Sequence, residues 1–411
     1  MKIICIGGGA ASFFFAVQAS EKYPEADITI LEQGNKVLSK VAISGGGRCN
    51  LTHHCFNAKE LVKNYPRGEE ALLKPFKKFG PKDTIEWFES RGVKTKVEAD
   101  GRMFPVSDSS QSIIDCLMQA CKSKGVKIHM GSKVTDIAFN DNQNNVHEIE
   151  LLNGNKLSAD VLFIGAGSSL TIWKILEKRG FDIVSPVPSL FTFKIKDPRI
   201  ESLSGITLPN VGLSLPGTAH VSDGPMLITH RGLSGPAILK LSARAAHYFH
   251  SCDYKCKLKV DFRPDITDKD IKSWRDTDAK KLMGNHTLLG LPKRLASQLL
   301  RVEGLDGQKK FATLSKKEMQ TLIDVLKKTT LSIDGQNRFK DEFVTAGGVD
   351  LSEVDFNTFS SKRYPNVLFA GEILNIDAVT GGFNFQAAWT GAFLAAEGIE
   401  SHRVQMNCIL P

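Results

Sequence analysis

No stretch of this 411-residue sequence is long and apolar enough to span a bilayer as a helix, which excludes a helical integral membrane protein. Eight cysteines are present, yet none forms a Cys-x-x-Cys pair or a zinc-ligand spacing. Cys5 falls in an apolar run, Cys116 and Cys121 in a helical pattern, and Cys252 and Cys256 beside a strand. Dithiol redox chemistry, structural zinc and a secretory disulfide framework all lose their warrant, and reduced, buried thiols in a cytoplasmic protein fit instead. No metal site is expected.

A strong excess of one charge is also lacking, since 53 basic residues face 45 acidic ones for a net +8. The surplus gathers in residues 293–328, where Lys293, Arg294, Arg301, Lys309, Lys310, Lys316, Lys317, Lys327 and Lys328 face four acids. A solvated helical face is the plain reading of that run, with an RNA footprint as its alternative. Nucleic acid is the less expected partner of the two.

What the sequence does have is glycine at strand ends. Met1–Ile6 is a short apolar run that breaks into Gly7-Gly8-Gly9-Ala10-Ala11-Ser12 before a longer run from Phe13 to Ser20. That is strand, glycine turn, helix. Gly7 permits the tight turn, Gly9 lets the backbone approach a pyrophosphate, and a helix begun near Ala10 aims free N–H groups at that charge. Ser12 stands where a third glycine is usual and is small enough for close helix packing. A second strand, Asp27–Leu31, ends at Glu32, about twenty residues on, where a carboxylate accepts the hydroxyls of an adenosine ribose. The competing reading, a secretory leader with Ala16–Ala19 as cleavage site, is opposed by three glycines inside its apolar core and by the strand that follows.

Ile43-Ser44-Gly45-Gly46-Gly47-Arg48-Cys49-Asn50 is expected as a loop that turns successive N–H groups toward an anion or an electron-rich ring edge, flanked by Lys40 and Arg48. Val161–Ile164 runs into Gly165-Ala166-Gly167; without a further glycine at Leu170 and an acid about twenty residues later, it reads as a late strand of the same domain rather than a second nucleotide module. Near the C-terminus, Val367–Phe369 leads to Gly371 and Glu372, and Gly381-Gly382-Phe383-Asn384 precedes a helix expected over Ala387–Glu397.

These motifs, and above all Ile43–Thr52, resemble the YhiN-like family of bacterial flavoproteins, distant relatives of the fumarate-reductase and glutathione-reductase folds, and the similarity extends through Pro188–Leu190, Leu227–Pro236 and the C-terminal glycine block. The resemblance covers nearly the whole chain. It implies an α/β Rossmann-like FAD-binding domain with an inserted β-rich domain and a small helical domain, noncovalent FAD, and an oxidoreductase acting on a small-molecule substrate. It also implies an adenine contact near Val134. The Gly165–Gly167 strand end departs from the family: Ser168-Ser169-Leu170-Thr171-Ile172-Trp173 stands where a Gly-Gly-x-Ser-Tyr-Pro-like segment is common, so substrate contacts from that segment are not carried over.

The residues expected to meet the cofactor are Gly7, Gly9, Ala10, Ala11, Ser12, Glu32, Gln33, Lys40, Ser44, Gly45, Gly46, Arg48, Cys49, Asn50, Val134, Gly165, Ala166, Gly167, Gly371, Glu372, Gly381, Gly382, Phe383 and Asn384. His230 and Arg231, in the Thr229–Pro236 stretch, are the expected catalytic pair, with His230 suited to proton donation. Thr229 and Ser234 are expected to cap a helix beginning near Pro236. With no second nucleotide module, NAD(P)H is expected only as a transient reductant, with dioxygen as a candidate oxidant. An RNA-associated flavoprotein and a non-catalytic flavin redox sensor are the alternatives.

The expected domains are 1–187 with 341–411, 188–265 with 329–340, and 266–328. Alternating patterns at Phe191–Lys196 and Val211–Leu215 give the insert its strands, and Asp268–Met283, Lys293–Val302 and Lys316–Lys328 its helices.

Overall fold

A computed structural model describes residues 1–140, 146–337 and 344–407. The chain divides into two compact units, Met1–Val187 with Lys340–Pro411, and Pro188–Phe339. The expected boundary at 340–341 lies outside the described residues.

The spine of the first unit is β1 (Lys2–Ile6), with Ile3 to Ile6 buried. Its helical neighbour α1 (Ala10–Lys22) leads to β2 (Asp27–Leu31), which runs parallel to β1 with Ile3 opposite Ile28. After α2 (Ser39–Gly47), β3 (Lys127–His129) joins the outer edge of β2. On the other side of β1 lie β4 (Val161–Ile164) and then β5 (Val367–Phe369), both parallel, followed by two short antiparallel strands. Ile-Ile-Cys-Ile and Val-Leu-Phe-Ile are continuous apolar runs because a parallel sheet covered on both faces offers no polar side to alternate with.

Helix α1 is buried on nearly every side, and its sequence Ala-Ala-Ser-Phe-Phe-Phe-Ala-Val is apolar all round as that position requires. Phe15 stacks on Phe163 of β4 at 4.0 Å, while Phe14 meets Trp87 at 4.5 Å and Trp389 of the C-terminal helix α3 (Phe383–Asn407) at 5.3 Å. Helix α3 starts four residues before the expected Ala387: the left-handed Gly382 ends the preceding turn, and the Gln386 N–H closes onto its carbonyl at 3.1 Å. A separate meander, Val134–Ala138, His147–Leu151 and Lys156–Ala159, follows β3.

The second unit is a seven-stranded antiparallel sheet in the order Thr329–Asp334, Lys255–Asp261, Thr207–Ser214, Val221–Thr229, Gly232–Ser234, Thr192–Lys194, Gln336–Asn337. The helices Asp268–Thr277, Lys293–Val302 and Lys316–Lys327 share its core, in which Ile271, Leu295, Leu299 and Leu322 pack with Leu213, Ile228, Leu258 and Leu331.

Candidate functional site

The turn from β1 into α1 is tight because both flanks are occupied. Gly7 has φ +98°, and a Cβ there would lie 2.7 Å from the Ala166 Cα in the turn after β4. The Gly7 N–H donates to Leu31 at 2.8 Å and the Gly165 N–H to Ile6 at 3.0 Å, so the two glycine turns lie side by side. Gly9 is the N-cap of α1, and no side chain caps it and no acid sits in its first turn. Beyond Gly9's own chain neighbours, a Cβ there would meet only the Gly165 carbonyl within 4 Å among the described residues, at 3.8 Å, so this side of the helix end is uncrowded. Ala10 and Ala11 begin the helix there.

Glu32 follows β2 and joins three segments. Its Oε2 accepts from the Gly8 N–H and its Oε1 from the Gly34 N–H, each at 2.7 Å, using two of the roughly four lone-pair sites of a carboxylate. Its carbonyl accepts from Ser132 at 2.8 Å, which brings the start of the meander, and Val134 two residues on, to the same end of the sheet. Gln33 is exposed beside it, whereas the Val134 side chain is buried.

Lys40, Ser168 and Glu372 meet across the sheet's carboxyl edge. The Lys40 Nζ pairs with Glu372 Oε2 and donates to Ser168 Oγ at 3.0 Å, and Glu372 Oε1 accepts from the Thr345 N–H at 2.8 Å. The ammonium expected to flank an anion is therefore offset by a carboxylate. Gly371 sits where a Cβ would lie 3.5 Å from that of Ala11 and 3.6 Å from that of Ala388, so α1 and α3 converge on it.

The Ser39–Gly47 segment runs into the loop expected over Ile43–Asn50. It begins as a helix and is broken at Ser44, which is extended at ψ 146°, and at Gly45 and Gly46, whose φ values are +58° and +69°. Gly47 at +84° and, after a right-handed Arg48, Cys49 at +61° are also left-handed. Asn50 is buried beside Gly382, where a Cβ would lie 2.8 Å from the Asn50 Oδ1 and 2.5 Å from the Thr52 carbonyl. Arg48 does not stand free beside an anion: its guanidinium lies 4.0 Å from the centre of the Phe104 ring and donates to Glu98 at 2.6 Å, a bond that raises its pKa further. Burial pushes the Cys49 thiol up to about 12, against a small opposing effect from Ser44, so it is a neutral packing group.

The turn before α3 is held by groups that sequence inspection passes over. Arg67 clamps the fully buried Asp377 with two N–H groups, the second bond measuring 2.5 Å. Ala378 donates to the Asn384 Oδ1 at 3.0 Å and accepts from its Nδ2 at 3.3 Å, so that side chain serves the turn. Tyr65 donates to the Phe383 carbonyl at 2.6 Å, and His53 stacks on the Phe383 ring at 4.7 Å. Below, Thr52 and Thr84 donate to Gln386 Oε1 at 2.5 and 3.0 Å, all three buried.

In the second unit, Thr229 pairs with Gly232 across a hairpin, leaving His230 and Arg231 as its exposed tip. Thr229 Oγ1 accepts from the Arg231 N–H at 3.3 Å and donates to the Gly232 carbonyl at 3.2 Å. It does not cap the helix Pro236–Arg244, and neither does Ser234: Gly235 is the N-cap and has no side chain to offer. Both hydroxyls are too early in the chain to reach the second or third helical N–H.

A dinucleotide fits the first unit on three observations. The α1 terminus is uncapped and uncrowded on its Gly9 side, Glu32 keeps unused acceptor capacity, and the Ser12 hydroxyl is fully buried with no hydrogen-bond partner among the described residues. No group of three or more metal-ligating side chains and no helix long and apolar enough to cross a membrane occurs among the described residues.

The family described as HI0933-like protein Rossmann domain matches residues 1–398. A ribosomal RNA dihydrouridine synthase of Escherichia coli (strain K12) is 27% identical over 408 residues, covering 96% of this chain and 97% of the relative. A 3-dehydro-bile acid delta(4,6)-reductase of Clostridium scindens is 28% identical over 409 residues, covering 96% and 98%. Among solved structures, the 3-ketosteroid delta1-dehydrogenase of Sterolibacterium denitrificans shares the fold with a TM-score of 0.52 at 12% identity, covering 97% of this chain and 99% of that one.

Proposed function

The chain is an oxidoreductase of the HI0933-like Rossmann family, and from that premise we propose that it holds FAD noncovalently and exchanges hydride with a carbon–carbon double bond conjugated to a carbonyl. The observation that carries this reading is the meeting of Gly7–Gly9, Gly165–Gly167 and Gly371–Glu372 around the uncapped end of α1. An extended dinucleotide suits that meeting, with its pyrophosphate at the α1 N–H groups, its ribose hydroxyls on Glu32 and its adenine beside Val134. The Ser44–Asn50 and Gly381–Asn384 segments would take the ring. The positive end of α3 behind Gly382 favours negative charge there. Bound in this cradle, FAD supplies a reversible hydride acceptor and donor.

The bond class follows from chemistry common to the two relatives. A 3-oxo steroid unsaturated at positions 4 and 6, and the uracil ring that becomes dihydrouridine, each carry a double bond conjugated to a carbonyl. Reduction adds hydride at one carbon and a proton at its neighbour. His230 is proposed to supply that proton and Arg231 to polarise the carbonyl oxygen. NAD(P)H, docking transiently, balances the electrons: one equivalent and one proton give one saturated carbon–carbon bond and NAD(P)⁺. The unpaired thiols fit a cytoplasmic setting.

A small enone is the first substrate class and a uracil in RNA the second, the latter favoured by the name of the Escherichia coli relative. Anaerobic reduction of the purified protein with NADH and NADPH, followed by mixing with a cyclic enone or a uridine-containing RNA, tests both. Substrate-dependent reoxidation with gain of two hydrogens by the product is expected. Reduction without turnover of either would mark a redox sensor instead.

A further inference from the structure

The basic stretch 293–328 separates into two halves in the structure. Lys309 pairs with Glu318, Lys327 with Asp261 and Lys328 with Asp268, so three of the six later cations are neutralised within the unit, while Lys310, Lys316 and Lys317 are exposed and have no acidic partner among the described residues. Lys293, Arg294 and Arg301 have no acidic partner within ion-pair distance among the described residues, and all three are exposed. They line an open cleft of about 560 Å³ together with Ser202, Ser297 and Gln298, and its one acid, Glu201, leaves a net charge of +2.

The cleft is ordered by the protein. Arg294 donates to the Ser202 carbonyl at 2.7 Å, Gln298 to the Pro198 carbonyl at 2.5 Å, and Arg301 to Gln298 Oε1 at 3.1 Å. Each arginine is fixed through one arm and keeps other N–H groups for a ligand. The cations also sit against the local field. Lys293 and Arg294 open a ten-residue helix that no side chain caps and that has no acid in its first turn, where positive charge is disfavoured. An anion in the cleft would relieve both features.

We propose that this cleft binds the phosphodiester backbone of single-stranded RNA; the proposal rests on the uracil reading of the substrate and names the surface that would hold such a polymer. Lys293 and Arg301 are eight residues apart, about 12 Å along the helix, too far to share one phosphate and suited to successive phosphates of a strand. The lining offers no aromatic ring and a single aliphatic side chain, Leu203, so the contact is with backbone charge rather than with bases.

The test uses the full-length, flavin-loaded protein and a fluorescein-labelled single-stranded RNA, titrated by anisotropy from about 50 to 200 mM salt. The triple variant K293Q/R294Q/R301Q should bind at least tenfold more weakly. Its plot of log affinity against log salt should be shallower by about 2, at about 0.7 for each phosphate that is no longer neutralised. Its NADPH-driven reduction of a free cyclic enone should be unchanged. Equal RNA affinity of variant and wild type, no binding by wild type at the lowest salt, or a raised NADPH KM in the variant would overturn the proposal. A yellow protein that reduces enones but ignores RNA would sink this cleft alone, whereas a colourless protein would sink the flavin reading first.

Discussion

Arg67 and Asp377 form a bidentate ion pair at the turn that precedes the C-terminal helix, with the carboxylate fully buried and the guanidinium 13% exposed. The pair fixes one end of the 377–382 segment, Asn384 fixes Ala378, and Asn64 accepts the Val379 N–H at 2.9 Å. The shape of the Gly381–Gly382 approach is therefore set by side chains that need not touch the ligand themselves.

Replacing Asp377 with Ala should leave Arg67 buried without its counter-charge, at a cost of about 3–5 kcal/mol. Thermal unfolding should shift down and FAD should dissociate faster from the variant. An unchanged melting temperature with full flavin retention would show that the turn holds without the clamp.

Glu32→Ala removes the proposed ribose acceptor and also strands the Gly8 and Gly34 N–H groups. FAD affinity should fall by roughly 10- to 100-fold, from about 1.5–3 kcal/mol for hydrogen bonds to a charged group. Glu32→Gln keeps one acceptor and should fall between. Both are read by fluorescence titration of the apoprotein with FAD.

Burial raises the thiols of Cys49 and Cys121 from 9.0 to about 12, and that of Cys116 to about 11 despite the opposing pull of Arg91. A thiol whose folded pKa lies above its unfolded one adds stability that is fully present below pH 9 and disappears as pH climbs through the folded value. The urea midpoint should therefore be insensitive to these groups up to pH 9 and drop between pH 9 and 12. The drop should be smaller in Cys121→Ala. Native Cys49 should stay unalkylated by iodoacetamide at pH 8, and rapid labelling there would contradict its neutral, packed state.

His230 and Arg231 stand exposed at a hairpin tip, so His230→Ala and Arg231→Ala should fold normally and bind flavin as the wild type does. Substrate reduction should slow by about 10²–10⁴-fold for His230→Ala, while flavin reduction by NAD(P)H is retained. Wild-type rates in both half-reactions would remove the pair from the proposed chemistry.

Much of the first unit was legible because its signals are local. Apolar runs ending in glycine mark β1 and β4, and the Gly7–Glu32 spacing matches a hydrogen bond actually made, from the Gly8 N–H to the Glu32 carboxylate. The helix Lys293–Val302 has its expected bounds because its period is strong and Pro292 precedes it. What escaped depends on distant partners. Arg67 and Asp377 are 310 residues apart, and Arg48 is drawn aside by Glu98, 50 residues away. The loop expected over Ile43–Asn50 leaves the helical path at Ser44, Gly45 and Gly46, and the short helical stretch from Ser39 that leads into it has no side-chain cap to mark it in the sequence. Helix α3 begins at Phe383 because tertiary contacts from Tyr65 and Thr52 hold a first turn of poor intrinsic propensity.

The decisive measurement is the visible absorbance of the protein purified under native conditions, with the cofactor released by heat and identified by chromatography. A yellow protein releasing FAD in equimolar amount, and losing it on Gly7→Ala substitution, is expected from the close approach of Ala166 at that turn. A folded but colourless protein that stays colourless with excess FAD would contradict the proposed function at its root.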